Sequence, residues 1–216
     1  MFDHLDVIND STSRSAALNM AIDEALLETA TTPTIRFYRW DHPALSFGYF
    51  GKFDDVEKEK RDVVRRWTGG GIVFHGDDLT YSIVIPANDS AFGESSMSIY
   101  EKVHRAIQVT VGSGAELEGR DAALRCPRTS QRDVPTNQCF ANPVRADVLW
   151  NGKKVAGAAQ RRTRRGLLQQ GSIQNVDLAP EFEKNLAAQL SQNRIEQTIE
   201  QAHVERAEQI AKEKYA

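Results

Sequence analysis

Apolar residues recur every three to four positions in three stretches of the chain, which predicts three helical regions. The first runs from Ser13 to Glu28. The second opens with capping-box spacing at 98–101 and stops near Gly112. The third, residues 179–216, is polar and predicts one or two helices lying on the domain. In the first region, the periodicity turns three polar residues away from the apolar face: Asn19, Asp23 and Glu24.

Strict alternation of apolar and polar residues predicts the strands. Leu79–Ile85 alternates over its whole length and is ended by Pro86. The clearest hairpin joins Asp147–Trp150 to Lys153–Arg162 through Asn151-Gly152, a pair that favours a type I′ turn. Other strand-like runs are Ile35–Trp40, Ala44–Phe50, Val63–Arg66 and Leu167–Ile173.

The order of these elements predicts an α+β fold with mixed or antiparallel sheets flanked by helices. A doubly wound parallel sheet would need a regular alternation of strands and helices, which the pattern lacks. The chain has 216 residues, a suitable length for one compact domain. We expect a catalytic domain over residues 1–178 and a helical C-terminal extension over 179–216 that packs on it.

Composition excludes several classes of protein. Lys and Arg number 27 against 30 Asp and Glu, a net charge of −3 that disfavours nucleic-acid binding. No stretch approaches 18 apolar residues, and the N-terminus lacks a signal-peptide pattern, so we expect a cytoplasmic protein without membrane contact. No Cys/His set has zinc spacing, so no metal site is expected.

Three consecutive glycines, Gly69–Gly71, form the first candidate binding element. Glycines allow close approach of the backbone to a ligand and expose N–H groups to carboxylate or phosphate oxygens. Arg66 precedes the run and can add a charge-assisted contact, and His75 follows it. The alternative is a flexible turn between strands.

The hairpin is the second candidate. A two-residue turn places Leu149 opposite Lys154 and Val148 opposite Val155. Lys154 then lies beside small residues that describe a narrow floor for an elongated apolar ligand: Ala156, Gly157 and Ala158. In the alternative interpretation, the small residues accommodate a packed helix and Lys154 reaches solvent.

Local charge and a cysteine supply two further candidates. Residues 145–165 carry seven cations against one carboxylate, a net +6 suited to an acidic partner or a phosphate, or simply a solvated hairpin tip. Cys139 lies in a polar part of the long loop 115–146, where a nearby ammonium would favour its nucleophilic thiolate. A structural thiol is the alternative, and it is our interpretation of Cys126.

Taken in order, these motifs resemble the biotin/lipoate protein ligase A/B family. The matching stretches are Arg65-Arg66-x-Thr-Gly-Gly-Gly-x-x-x-His75, Leu79-Thr80-Tyr81-Ser82, Gly152-Lys153-Lys154-Val155-Ala156-Gly157 and Leu168-Gln169-x-Gly171-Ser172-Ile173. The resemblance covers residues 18–173. It implies a catalytic domain related to class II tRNA synthetases and biotin ligases, in which the glycine loop and the lysine strand embrace an acyl chain.

The cysteine motif at Cys139 is similar to that of the cysteine-dependent octanoyltransferases of lipoate-protein-ligase type, and also to that of amidotransferase relatives. The resemblance implies Cys139 as nucleophile and Lys154 as catalytic lysine. The substrate-binding residues would be Arg66, Gly69, Gly70, Gly71, His75, Ala156, Gly157 and Ala158. The implied donor is an octanoyl acyl-carrier protein, typically acidic, and the implied acceptor is a lysine of a lipoyl carrier domain. No cofactor is needed for this transfer.

Two alternatives stay open. One is an ATP-dependent lipoate-protein ligase, which would use ATP and Mg²⁺. The other is a non-catalytic protein that binds an acyl group or a carrier. Gln170 stands where the family usually has His, and Trp67 is bulkier than usual, so the acyl pocket or carrier docking is expected to differ.

Overall fold

The protein is described by a computed structural model covering residues 1–56, 59–119 and 143–215. Eight strands of these residues form a large mixed sheet: β1 (Leu5–Asn9), β2 (Thr34–Tyr38), β6 (Leu79–Pro86), β7 (Ala115–Leu117), β8 (Val148–Trp150), β9 (Lys153–Arg162), β10 (Gly166–Ile173) and β11 (Arg194–Gln197). Their order in the sheet is β11-β1-β2-β6-β10-β9-β8-β7. β1 runs parallel to β2 and β11, and the other neighbours are antiparallel.

A small sheet of three strands, in the order β4-β3-β5, lies beside the large one. Its strands are β3 (Ala44–Phe47), β4 (Asp62–Arg65) and β5 (Val73–His75). The glycine run Gly69–Gly71 connects β4 to β5. The small sheet therefore positions the glycine loop.

Helices cover both faces of the large sheet, which confirms the predicted α+β class. The helices are α1 (Ala16–Thr29), α2 (Ser96–Val111), α3 (Phe182–Leu190) and α4 (Gln201–Ile210). The alternation of β6 assigns its two faces as predicted: Tyr81 and Ile83 join the core under α2 and α3, whereas Val84 joins the core under α1 and α4.

The polar residues of α1, which the periodicity turns away from the apolar face, are nevertheless buried. Asn19 and Asp23 are fully buried and Glu24 is 3% exposed. The cause is a second buried charge, because Arg36 of β2 donates to Asp23 Oδ1 (2.9 Å) and Asn19 Oδ1 (2.7 Å). Periodicity alone assigns polar residues to the surface and misses a partner supplied by a distant strand.

The hairpin turn is as predicted, but its register is not. Asn151 and Gly152 both have positive φ (51° and 72°), as a type I′ turn requires. Leu149 pairs with Lys154, yet Val148 pairs with Ala156 rather than Val155. A β-bulge therefore adds one residue to β9 and changes which face its side chains occupy.

The C-terminal segment adds more than helices. α3 packs against α2 and α4 against α1, while β11 between them extends the large sheet as its edge strand. All four residues of β11 are exposed, so the segment carries no apolar alternation that would predict it. The division at residue 178 stays a prediction.

Candidate functional site

The centre of the candidate site is a buried ion pair. Lys154 Nζ lies 2.8 Å from Asp147 Oδ2, and the two side chains are 2% and 0% exposed. The carboxylate also accepts hydrogen bonds from Tyr100 Oη (2.6 Å) and the backbone N–H of Val144 (2.6 Å). Tyr100 Oη in turn accepts from the N–H of Ala158 (3.2 Å), so the pair is tied to β9 from both sides.

The bulge places this pair against Gly157. A Cβ at that position would lie 2.4 Å from Cε and 2.6 Å from Nζ of Lys154, closer than any real contact. Glycine is thus the residue that lets the ammonium lie along the strand backbone. Burial and the charge of Asp147 raise the pKa of Tyr100 far above its usual range, so this hydroxyl stays a donor to the carboxylate.

Arg66 holds the glycine loop from inside. Nη1 donates to the carbonyl oxygen (2.9 Å) and hydroxyl (2.6 Å) of Ser46, and Nη2 donates to the carbonyls of Gly69 (3.1 Å) and Gly71 (2.7 Å). The C=O and N–H of a trans peptide point in opposite directions. The amides of Gly70 and Ile72 are therefore turned away from the guanidinium.

A charged hydrogen-bond chain forms the wall behind Arg66. His75 Nε2 lies 2.6 Å from Ser46 Oγ, and Nδ1 lies 2.8 Å from Asp78 Oδ2. Burial raises the pKa of Asp78, but hydrogen bonds from His75, Ser172 and Gly76 outweigh it and keep the pKa low. Burial also lowers the pKa of His75 despite Asp78. A neutral ring facing a carboxylate carries its proton on Nδ1, so Nε2 accepts from Ser46.

Gln170 connects the loop to α1. Its Oε1 accepts from Thr68 Oγ1 (2.9 Å), and its Nε2 donates to Asp23 Oδ2 (2.7 Å). Thr68 directly precedes the glycines. The amide that stands at the family's usual histidine position thus satisfies two buried polar groups at once.

These elements enclose a narrow cavity between the two sheets. Its lining combines the apolar parts of Met20, Tyr38 and Trp40 with polar side chains that are bonded to one another. The remaining lining residues are Ser46, Arg66, Gly70, Val73, His75, Thr80, Gly157, Ala158, Ala159, Gln170, Gly171 and Ser172. The cavity has a volume of about 30 Å³, and the ammonium of Lys154 lies behind its Gly157 wall.

The structure brings together most of the residues singled out from the sequence. Arg66, Gly70, His75, Gly157 and Ala158 line the cavity, and Lys154 lies behind Gly157. Gly69 and Gly71 accept hydrogen bonds from Arg66 through their backbone carbonyls. Ala156 does not line the cavity, because the bulge buries it in the core under α2. Cys139 and Cys126 lie outside the described residues.

Sequence reasoning missed four polar members of the site: Asp147, Tyr100, Ser46 and Asp78. Asp147 entered as a hairpin residue on the same face as Lys154 and as a charge in the basic segment, and Tyr100 entered only as part of a helix cap. The sequence does contain a signal for Asp147, because a lone acidic residue next to a hairpin that carries Lys154 can serve as its counter-ion. Ser46 and Asp78 carry no such signal, since their partners come from other strands.

Fold and site together define an α+β protein with a buried lysine–aspartate pair behind a narrow cavity between two sheets. The chain belongs to the family described as the lipoyl protein ligase A/B catalytic domain, which it matches over residues 15–214. The resemblance stated from the motifs is thereby confirmed.

Named relatives and solved structures refine this placement. The chain is 36% identical to the octanoyltransferase LipM of Oceanobacillus iheyensis over 95% of its own length and 78% of the relative's. It is 37% identical to octanoyltransferase LipM of Bacillus subtilis, but spans only 63% of that relative. A lipoate-protein ligase A bound with ATP shares the fold, with a TM-score of 0.69, 21% identity, and coverage of 100% of this chain and 96% of that one.

In the part of the chain that the structure describes, no helix is long and apolar enough to cross a membrane. Within the same residues, no group of three or more His, Cys, Asp or Glu side chains is arranged to hold a metal ion.

Proposed function

We propose that the protein is an octanoyltransferase of lipoate biosynthesis. It would move an octanoyl group from an acyl-carrier protein to a lysine of a lipoyl carrier domain. The observation that carries the proposal is the Lys154–Asp147 pair, which lies against Gly157 in the cavity wall. The names of relatives at 32–38% identity support the same activity.

The reaction has two steps with Cys139 as nucleophile. The thiolate attacks the thioester carbonyl of the donor, an S–acyl bond forms on the enzyme, and the donor thiol leaves with a proton. The ε-amine of the acceptor lysine then attacks the enzyme thioester, an amide forms, and the thiolate of Cys139 is regenerated as the amine loses a proton. Thioester to amide is downhill, so the transfer needs no ATP.

Lys154 would stabilise the charge that develops in both steps. A fixed ammonium in a site shielded from water stabilises an oxyanion more strongly than one in solvent. Asp147 holds the ammonium in place and keeps the buried charge compensated. The cavity, whose polar wall groups are satisfied by each other, would hold the octanoyl chain without leaving unpaired donors against it.

Intact mass spectrometry tests the proposal directly. After incubation with octanoyl acyl-carrier protein without ATP, the enzyme should gain about 126 Da, the mass of one octanoyl group replacing a proton. Cys139→Ser should lose this gain, and Cys126→Ser, the matched control, should keep it. A Cys139→Ser protein that still becomes acylated would show that another residue is the nucleophile.

An ATP-dependent ligase is the second candidate, favoured by the fold shared with an ATP-bound ligase. The described residues fit it poorly, because the η nitrogens of Arg66 already donate to Ser46 and the loop carbonyls, and a phosphate would have to displace these contacts. Modification of a lipoyl domain with free octanoate or lipoate only when ATP is added would decide for the ligase.

A further inference from the structure

Three large aromatic side chains are exposed on the segment that follows β3. Tyr49 is 43% exposed, Phe50 89% and Phe53 53%. Together we call them the aromatic edge. Exposed apolar residues grouped on one short segment are typical of a contact surface, whereas single ones are ordinary.

The aromatic edge is attached to the candidate site. The N–H of Tyr49 donates to the carbonyl of Thr68 (2.9 Å), the residue before the glycine loop. Arg161 packs its guanidinium on the rings of Tyr49 and Trp67, at 4.6 Å from each centroid, and donates to the carbonyl of Trp67 (3.1 Å). A protein bound to the aromatic edge would therefore touch the rim of the cavity.

Two cations on this surface are arginines, Arg65 and Arg161. Among the residues that the structure describes, neither of them forms an ion pair with a carboxylate. Arg65 instead donates to the carbonyls of Tyr49 (3.0 Å) and Gly51 (2.6 Å). Uncompensated guanidinium groups beside exposed aromatic rings favour a partner that is acidic and partly apolar.

The basic segment 145–165, in contrast, does not form one surface. β9 is ten residues long, so Lys153 and Arg162 are separated by about 30 Å. Several of its charges are also paired: Lys154 with Asp147, Arg145 with Glu101 and Arg165 with Glu28. The net charge of +6 counted along the sequence is therefore spread over the length of β9 and partly neutralised. Arg161, from this segment, contacts the aromatic edge through Tyr49.

We infer that the aromatic edge, with Arg65 and Arg161, is the docking surface for the acyl donor, an acidic acyl-carrier protein. This inference rests on the proposed function. The arginines would attract the acidic carrier, and Phe50 would be buried in the complex beside the cavity rim. The donor's thioester would then lie next to the glycine loop.

Phe50→Ser tests the docking surface, with Ile195→Ser as its matched control. Ile195 is 56% exposed on β11, at the far edge of the large sheet, so both changes remove one exposed apolar side chain. We expect Phe50→Ser to weaken binding of octanoyl acyl-carrier protein about tenfold, measured by calorimetry, and to raise the KM for this donor equally. Its KM for octanoyl-pantetheine, which has no carrier protein, should stay unchanged. Binding should also weaken when salt is raised to about 0.3 M.

The outcomes separate the two proposals. Equal carrier binding by Phe50→Ser and Ile195→Ser, or no carrier binding by the unaltered protein, would overturn the docking surface. So would a Phe50→Ser protein whose KM rises only for the lipoyl-domain acceptor, because the surface would then serve the acceptor. An unaltered protein that binds the carrier but forms no acyl-enzyme would overturn the proposed function. The docking surface would still be tested in that case, by comparing carrier binding of Phe50→Ser with that of Ile195→Ser.

Discussion

The ammonium of Lys154 lies 2.8 Å from the carboxylate of Asp147 across the β8–β9 hairpin, and both side chains are buried. The extra residue Val155 shifts the hairpin register, so that Val148 pairs with Ala156. Beyond this bulge, Gly157 lies directly against Cε and Nζ of Lys154. A local irregularity in strand pairing thus lies beside the charged centre of the site.

Replacing Asp147 by Asn should impair both folding and transfer. The change removes the carboxylate that Asp147 supplies to the buried ammonium of Lys154, and breaking a buried ion pair in this way costs about 3–5 kcal/mol of unfolding free energy. Loss of a correctly placed ammonium should slow acyl-enzyme formation by about 100-fold or more. Urea titration and single-turnover mass spectrometry measure the two effects.

Tyr100→Phe is the control for that change, because it removes one hydrogen bond from Asp147 and keeps the ion pair. We expect a loss of only about 1–2 kcal/mol and a correspondingly smaller effect on the rate. If Asp147→Asn slowed acylation no more than Tyr100→Phe, the pairing with Lys154 would have no special role in the reaction.

Gly157→Ala should displace the ammonium of Lys154. The new methyl group would meet Cε of Lys154 at 2.4 Å and Nζ at 2.6 Å, so the buried side chain must shift relative to Asp147, and the melting temperature should fall. The acylation rate should also fall by about 100-fold, as expected when a reacting geometry shifts by about 1 Å. Stopped-flow acylation and thermal melting provide the two measurements.

Gly93→Ala is the matched glycine control, since a Cβ there meets nothing within 4 Å and its φ is not in the left-handed region. It should leave both the melting temperature and the acylation rate close to those of the unaltered protein. A Gly157→Ala enzyme with an unchanged rate would show that the position of Lys154 is not critical.

The glycine loop should depend on the arginine beneath it. The two η nitrogens of Arg66 donate to Ser46, Gly69 and Gly71. A lysine at position 66 has a single side-chain nitrogen, so it cannot make all of these hydrogen bonds. We expect Arg66→Lys to lower stability by about 2–4 kcal/mol and to raise the KM for the octanoyl donor. Arg65→Lys, at the neighbouring exposed arginine, should affect stability much less. Equal melting temperatures for the two variants would contradict this account.

The sequence predicts those parts of the fold that rest on local patterns. The alternation of Leu79–Ile85 assigns both faces of β6, and Asn151-Gly152 identifies the turn of the hairpin. The sequence also offers the glycine run and Lys154 as candidates, because glycines allow close approach to a ligand and Lys154 stands beside small residues. What the pattern does not contain is the partner of each buried polar group.

Asp23 illustrates why. Its place on the polar side of α1 predicts solvent, yet it is satisfied by Arg36, Tyr38 and Ser82 from two strands of the large sheet. Such pairings depend on which strands become neighbours, and no periodicity within one segment encodes that. The bulge at Val155 is not predicted either, because a two-residue turn fixes only the first pairs of the hairpin.

The protein should lose stability on mild acidification through a histidine near the site. His104 is fully buried beside Tyr100, and its Nδ1–H donates to the carbonyl of Ala146 (2.7 Å). Burial lowers the pKa of His104 to about 4, against opposing effects of Asp147 and Ala146. The unfolded chain binds this proton near pH 6.5, so the unfolded state gains protons first as pH falls. Stability is therefore complete above about pH 6.5 and decreases between pH 6.5 and 4, by up to about 3 kcal/mol.

His104→Asn tests this assignment, because its amide keeps an N–H donor toward Ala146 but does not titrate. Urea unfolding at pH 7.5 and pH 5 should show a smaller pH-dependent loss of stability in the variant than in the unaltered protein. His75, also buried with a lowered pKa, contributes in the same direction, so a residual slope is expected. Identical pH slopes for the two proteins would mean that His104 is not the group that titrates between the native and unfolded states.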